Sequence, residues 1–169
     1  MERAQLRLAL EQAAPGGYAL ALQLLGSHED ASDALQDALV RAFGTDSYDP
    51  AQGTFKAWFL AVVRNRCLDL LRQRQRRPQV EFDETRFAVV DADPEALLAR
   101  DEQAALVALE LSGLPAEQRE ILILREYLDL SYAEIARVLS VPPGTVMSRL
   151  HRARSALADR LRRKDDGRP

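Results

Sequence analysis

Asp33, Gln36 and Asp37 stand at helical spacing, so a helix through them presents two carboxylates and an amide together. Two acids one turn apart can hold a metal, but no histidine or further acid completes a ligand set here. A docking surface for basic side chains is the better use of the trio. Charge of the opposite sign gathers in two other stretches, Arg64–Arg77 and Arg149–Arg163. Arginines so grouped hold phosphates. Phe55, Trp58 and Phe59 stand just ahead of the first arginine block, and an aromatic end followed by a basic helix suits unstacked bases beside a phosphate track. Taken singly, the three aromatics are more often core residues. All of this is binding chemistry. The two histidines, His28 and His151, and the single cysteine, Cys67, join no Ser, Cys or metal cluster, so no catalytic constellation and no cofactor site is expected.

The element that must position the second arginine block runs from Ser131 to Leu157. Ser131 with Glu134 three residues on forms a capping box and starts a short helix carrying Ala133, Ile135, Ala136, Val138 and Leu139. Val141-Pro142-Pro143-Gly144 must stop it, because proline has no amide proton and pushes its predecessor out of the helical region. Gly144 or Thr145 then begins a second helix. In it Val146, Leu150, Ala153 and Leu157 form one apolar stripe, Ser148, His151, Arg152 and Ser155 lie opposite, and Met147, Arg149 and Arg154 flank them. A helix packed by one edge, with small polar and basic groups on the other, can enter a major groove.

Further elements follow from periodicity and breakers. Leu6–Ala14 reads as a short helix interrupted by Pro15-Gly16-Gly17, with a second helix resuming over Tyr18–Leu25. A helix from Ser27 or Asp30 to about Phe43 buries Ala31, Leu35, Ala38, Leu39 and Ala42 and turns Asp33, Gln36, Asp37 and Val40 outward. Gly44–Thr54 is a loop. The long helix from Phe55 to about Arg77 buries Phe55, Trp58, Phe59, Val62, Val63, Cys67, Leu70 and Leu71, and sends Arg64, Asn65, Arg66, Arg72, Arg74, Arg76 and Arg77 to the other side. After Pro78 comes an acidic stretch without clean period, Gln79–Asp93. Helices over Pro94–Leu111 and Pro115–Tyr127 lead into the two-helix element, and Asp165–Pro169 is a polar tail.

The net charge of −3 is the sum of separated blocks, acidic at Glu29–Asp37 and Glu81–Glu102 and basic elsewhere, which suggests more than one charged partner. One cysteine excludes an internal disulfide. No apolar run is long enough to span a bilayer, and the N-terminus lacks a secretory signal, so a cytoplasmic protein without membrane insertion is expected.

DASDALQDALVRAF, then FKAWFLAVVRNRCLDLLRQRQRR, then LPAEQREILILREYLDLSYAEIARVLSVPPGTVMSRLHRARSAL resembles, in that order and over nearly the whole chain, an extracytoplasmic-function (group IV) bacterial sigma factor. The resemblance implies an all-α fold of two small helical domains joined by an acidic linker, the second ending in a helix-turn-helix. Residues 1–77 would be the region-2 domain, 78–93 the linker, 94–164 the region-4 domain and 165–169 the tail. The partners implied are core RNA polymerase, through its beta-prime and beta subunits, and promoter DNA. Asp33, Gln36 and Asp37 would dock on the beta-prime coiled coil. The loop Gly44–Thr54 and the start of the long helix would hold the unpaired minus-ten strand, with Trp58, Arg64, Asn65, Arg66, Arg72 and Arg76 as contacts. Asn65 falls where the family places an asparagine near a flipped base, and its amide can both donate and accept. Gly144, Thr145, Met147, Ser148, Arg149, His151 and Arg152 would meet the minus-thirty-five element. The linker would run through polymerase toward the RNA exit channel.

The chain departs from the family at Met147, usually Lys or Arg, at Ser140, usually the turn glycine, and at Pro143, an added proline. These touch promoter sequence rather than membership. Such factors are often held by an anti-sigma protein, although no residue here points to one. The competing reading is a stand-alone helix-turn-helix repressor or activator. It has no need of the Asp33/Gln36/Asp37 face or of the aromatic-basic helix.

Overall fold

The computed structural model describes residues 2–44, 47–76 and 102–165, with the side chains of 102–105 and 165 left out. The acidic stretch 78–93, Arg77, the start of the helix expected from Pro94, and tail residues 166–169 lie outside the described residues. Those described are helical or loop, with no β-strand among them.

Helices α1 (Arg3–Leu25), α2 (His28–Gly44) and α3 (Phe55–Arg76) pack against one another. The face that α2 buries is made of Ala31, Ala34, Ala38 and Ala42, spaced three, four and four, so its backbone can approach its neighbours closely. Phe59, Val63 and Cys67 of α3 and Leu10, Ala13, Ala21 and Leu25 of α1 complete this core. Burial pushes the Cys67 thiol up to about 12, with the Glu120 charge adding to it, which keeps it an unreactive packing group.

The break expected at Pro15-Gly16-Gly17 does not occur, and α1 runs unbroken through Pro15. The reason lies in its neighbours. A Cβ on Gly17 would stand 3.1 Å from side-chain atoms of Leu35 and Phe59 and 3.2 Å from Val63. The missing side chain therefore lets α1 settle onto α2 and α3, and that packing outweighs the poor helix propensity of the tripeptide.

The second half holds α4 (Glu102–Ser112), α5 (Ala116–Leu122), a π-helical turn (Ile123–Tyr127), α6 (Tyr132–Leu139) and α7 (Pro143–Asp165). The helix expected over Pro115–Tyr127 thus widens at its end, where the Leu128 amide reaches back to the Ile123 carbonyl at 2.9 Å. Ile121, Leu122, Ile123 and Leu124 are all buried. One helix face cannot cover four consecutive side chains, and here α7 lies on one side while α1 packs on α5 from another.

The capping box of α6 is present: the Glu134 amide donates to Ser131 Oγ at 3.2 Å and the Ser131 amide donates to Glu134 Oε2 at 2.8 Å. Ser140 ends α6 in the left-handed conformation at φ 56°. That conformation costs an L-residue with a Cβ about 1 kcal/mol or more. Ser140→Gly is therefore expected to stabilise the protein by about 1 kcal/mol and to raise Tm by roughly 2–4 °C in a thermal melt. Helix α7 begins at Pro143, one or two residues before the expected start, since proline is well suited to the first helical position, where no amide proton is used.

A second apolar core joins the two halves. Leu20 of α1 and Ala57 and Leu60 of α3 belong with Leu128, Leu130, Ile135, Leu150 and their neighbours. Leu60 stands outside the stripe that periodicity marked on α3, because the partner that buries it comes from the other half of the chain.

Candidate nucleic-acid interface

The exposed face of α2 contains Asp33, Gln36, Asp37 and Val40, as the sequence anticipates, and Phe43 extends it. Val40 is 73% exposed and Phe43 54% exposed, so the acidic surface has an apolar margin. Asp37 also has a partner within the chain, since Arg66 Nε donates to its Oδ2 at 2.7 Å. Two turns earlier in α2, Asp30 pairs with Arg74 at 2.6 Å. The acids of α2 thus brace arginines of α3.

Between these helices lies a groove of about 420 Å³ lined by Arg41, Val62, Asn65, Asp69 and Arg72. Asn65, Asp69 and Arg72 form one stripe on α3 with Val62, which is half-buried against the core rather than fully covered, and Arg41 reaches it from α2. Asn65 and Arg72 were anticipated. Arg41 was not, although its place one turn after Asp37 was a signal. Arg72 pairs with Asp69 at 3.2 Å, and Arg76 is exposed at the end of α3.

At the other end of α3 the loop before Phe55 is ordered by its own side chains. Asp49 caps a 3-10 turn at Pro50–Gln52 by accepting from the Ala51 amide at 3.0 Å, and Tyr48 donates to the Gly53 carbonyl at 3.1 Å. Gly53 sits at φ 144°, a conformation essentially restricted to glycine. Tyr48, Phe55 and Trp58 cluster with ring centroids 5.2–5.7 Å apart. Phe59 is wholly buried, whereas Trp58 is half-buried and lines a cleft of about 160 Å³ with Gln52, Thr54 and Ala61. Arg137 of α6, which the sequence did not single out, forms part of the same cleft.

Arg64 departs from its expected place. Periodicity put it on the solvent side of α3, but its Nε donates to Glu120 Oε1 at 2.6 Å and its Nη2 to Oε2 at 3.4 Å. The pair is only 17% and 8% exposed. Arg64 follows Ala57 and Leu60 at spacings of three and four, on the stripe that meets the second half. Lys56 donates from Nζ to the Leu128 carbonyl, and Thr54 donates to Glu134. Partial burial raises the Glu134 carboxyl, but the bonds from Thr54 and Ser131 and the charge of Lys56 outweigh it and hold the group below the usual carboxylate range. The stability this adds is present above the ordinary glutamate value and is lost as pH falls through the lowered one.

On α7, Val146, Leu150 and Ala153 are buried, which fixes the helix by one edge. Gly144, Met147, Ser148, His151 and Arg152 are exposed and Thr145 and Arg149 half-exposed. Met147 is 59% exposed, so an apolar group stands on the open face of α7. Arg154 is held aside by Glu126, which accepts from its Nη2 at 2.6 Å.

The sequence family described as Sigma-70 region 2 matches residues 10–77, and Sigma-70, region 4 matches residues 104–157. The chain is 33% identical to the ECF RNA polymerase sigma factor SigW of Bacillus subtilis, over 86% of this chain and 82% of that protein. The chain is an extracytoplasmic-function sigma factor. It directs promoter recognition. This sigma factor is also 36% identical to SigE of Mycolicibacterium smegmatis, over 85% of its own length, although it spans only 56% of that protein. Its fold is similar to that of the sigma factor RpoE in complex with the anti-sigma factor NepR from Bartonella quintana, with a TM-score of 0.69, 26% identity, and coverage of 92% of this chain and 96% of that one. A TM-score of 0.58 and 27% identity relate it to CnrH in complex with the cytosolic domain of CnrY, with the same coverage. Among the described residues of the sigma factor, no helix is long and apolar enough to cross a membrane, and no group of three or more potential ligands is placed to hold a metal.

Proposed function

We propose that the sigma factor divides its work among three surfaces, with domains near the bounds 1–77 and 94–164. Asp33, Gln36 and Asp37 of α2, with Val40 and Phe43 at their margin, dock on the beta-prime coiled coil of core polymerase. Trp58, Asn65, Arg66, Arg72 and Arg76, joined by Arg41, hold the unpaired minus-ten strand, and Arg64 joins them when it leaves Glu120. Gly144, Thr145, Met147, Ser148, Arg149, His151 and Arg152 enter the major groove at the minus-thirty-five element. The observation that carries this reading is the build of α7: an apolar edge locked in a core and an open edge of small, polar and basic groups. The protein acts in the cytoplasm and performs no covalent chemistry. Trapping unstacked bases favours the melted promoter over the duplex, and differential binding of that kind is its whole mechanism. An anti-sigma protein is a further partner, as for the two structural relatives.

Reconstitution with core polymerase followed by run-off transcription from genomic fragments tests the whole reading, and specific transcripts are the expected result. At one residue, Arg152→Ala is expected to weaken duplex binding and to reduce the slope of log affinity against log salt by about one unit, the loss of a single phosphate contact. An unchanged slope in a salt titration removes Arg152 from the phosphate contacts.

A further inference from the structure

Among the described residues of α7, Met147 is the one large apolar side chain that stands exposed. Gly144 precedes it by three residues and His151 follows it by four, so the three share a face. A helical side chain leans toward the N-terminus of its helix, so Met147 covers the turn that begins at Gly144. That turn is bare, since a Cβ on Gly144 would meet nothing within 4 Å. The thioether is therefore the leading apolar group at the N-terminal end of α7, the end of a recognition helix that reaches base edges. Its polar neighbours turn back on the helix backbone. Ser148 donates its hydroxyl to the Thr145 carbonyl at 3.1 Å, and Arg152 Nε donates to the Ser148 carbonyl at 3.4 Å.

Base edges in a major groove offer hydrogen-bond donors and acceptors and one apolar group, the C5 methyl of thymine. A thioether laid on any other base edge covers a donor or acceptor without pairing it, which costs free energy. We infer that Met147 is a specificity-determining residue of α7: its thioether packs on the C5 methyl of one thymine in the minus-thirty-five element and selects that base against the other three. This rests on the assignment of α7 to the minus-thirty-five major groove. The contact involves no charge. It therefore adds sequence preference without adding to the salt dependence that phosphate-bound arginines supply.

The test uses the full chain bound to core polymerase and duplex DNA selected from a pool randomised across the minus-thirty-five region. Each thymine of the selected element, on either strand, is then replaced singly by deoxyuridine. That change removes the methyl and keeps every hydrogen-bonding group. At one position wild type is expected to lose affinity about fourfold, the worth of one methyl group taken out of water. Met147→Ala should bind the thymine and the uracil duplex equally, both at the level of wild type on uracil. Its slope of log affinity against log salt should match that of wild type, in contrast to Arg152→Ala. Alanine is the better helix former and the site is exposed, so circular dichroism should show an unchanged fold.

A selected element in which no thymine is sensitive to the loss of its methyl overturns the inference. So does a sensitivity that persists in Met147→Ala, which assigns the methyl to another side chain, such as that of Thr145. Complete loss of binding by Met147→Ala overturns it as well, because one methyl contact is not worth that much. The selection itself separates the two levels of argument. If an element is enriched but these outcomes fail, α7 keeps its place and only the role of Met147 is wrong. If no element is enriched, the assignment of α7 falls and the inference falls with it.

Discussion

Replacement of both Asp33 and Asp37 by arginine is expected to abolish binding to core RNA polymerase while leaving the helical fold in place. Both side chains are exposed on α2, opposite the alanine face that meets α1 and α3, so neither reversal disturbs the core. If the docking partner is basic, each reversal sets like charges against each other, which costs several kcal/mol at an interface. Two such changes weaken binding by well over about a hundredfold. Asp37 has a second task, because it accepts from Arg66. The single variants therefore divide the effect. Asp33→Arg should lose polymerase binding alone, whereas Asp37→Arg should also free Arg66 from its brace and alter binding to the single strand. Gel filtration with core enzyme, with circular dichroism as the control for folding, reads the outcome. Retained binding by the double variant would show that this face is not the dock.

Phe59→Ala is expected to destabilise the whole protein. Phe59 is 0% exposed and stacks near Phe55 at 6.3 Å between centroids, while Val63 and Cys67 continue its stripe. Truncation of a buried phenylalanine costs about 3–5 kcal/mol, a large part of the roughly 5–15 kcal/mol that holds a typical protein folded. Tm should fall by roughly 6–20 °C. The adjacent Trp58 behaves differently. It is half-buried at the edge of the aromatic cluster and opens on the cleft beside Thr54. Trp58→Ala should lower Tm much less, yet weaken single-strand binding by about 5- to 150-fold, the worth of one base stacked on an aromatic side chain. Equal losses of stability in the two variants would make Trp58 a core residue and remove it from the strand-binding set.

This contrast between neighbours shows how far local pattern reaches. Period three-and-four placed Phe59, Val63 and Cys67 in a core, and Val146, Leu150 and Ala153 along the buried edge of α7, because a helix facing one core repeats its apolar residues with the turn. The capping box at Ser131 and the outward set Asp33, Gln36, Asp37 and Val40 were equally legible, since each depends on residues within two turns of one helix. So was membership in the sigma factors, which rests on motifs in order along the chain.

Contacts between distant segments were decided by the tertiary structure alone. Pro15-Gly16-Gly17 reads as a break in any isolated helix, and it is helical here because a glycine at that point lets α1 lie against Phe59 and Val63, more than forty residues away. Leu60 and Arg64 carry no local sign that they are covered, because Glu120 and Leu128, which meet this side of α3, come from the other half of the chain. A periodicity records how many faces of a helix are apolar, and a mixed face such as Ala57–Leu60–Arg64 has no apolar signature. Its burial depends on charge and shape supplied from elsewhere, and only the folded chain brings them together.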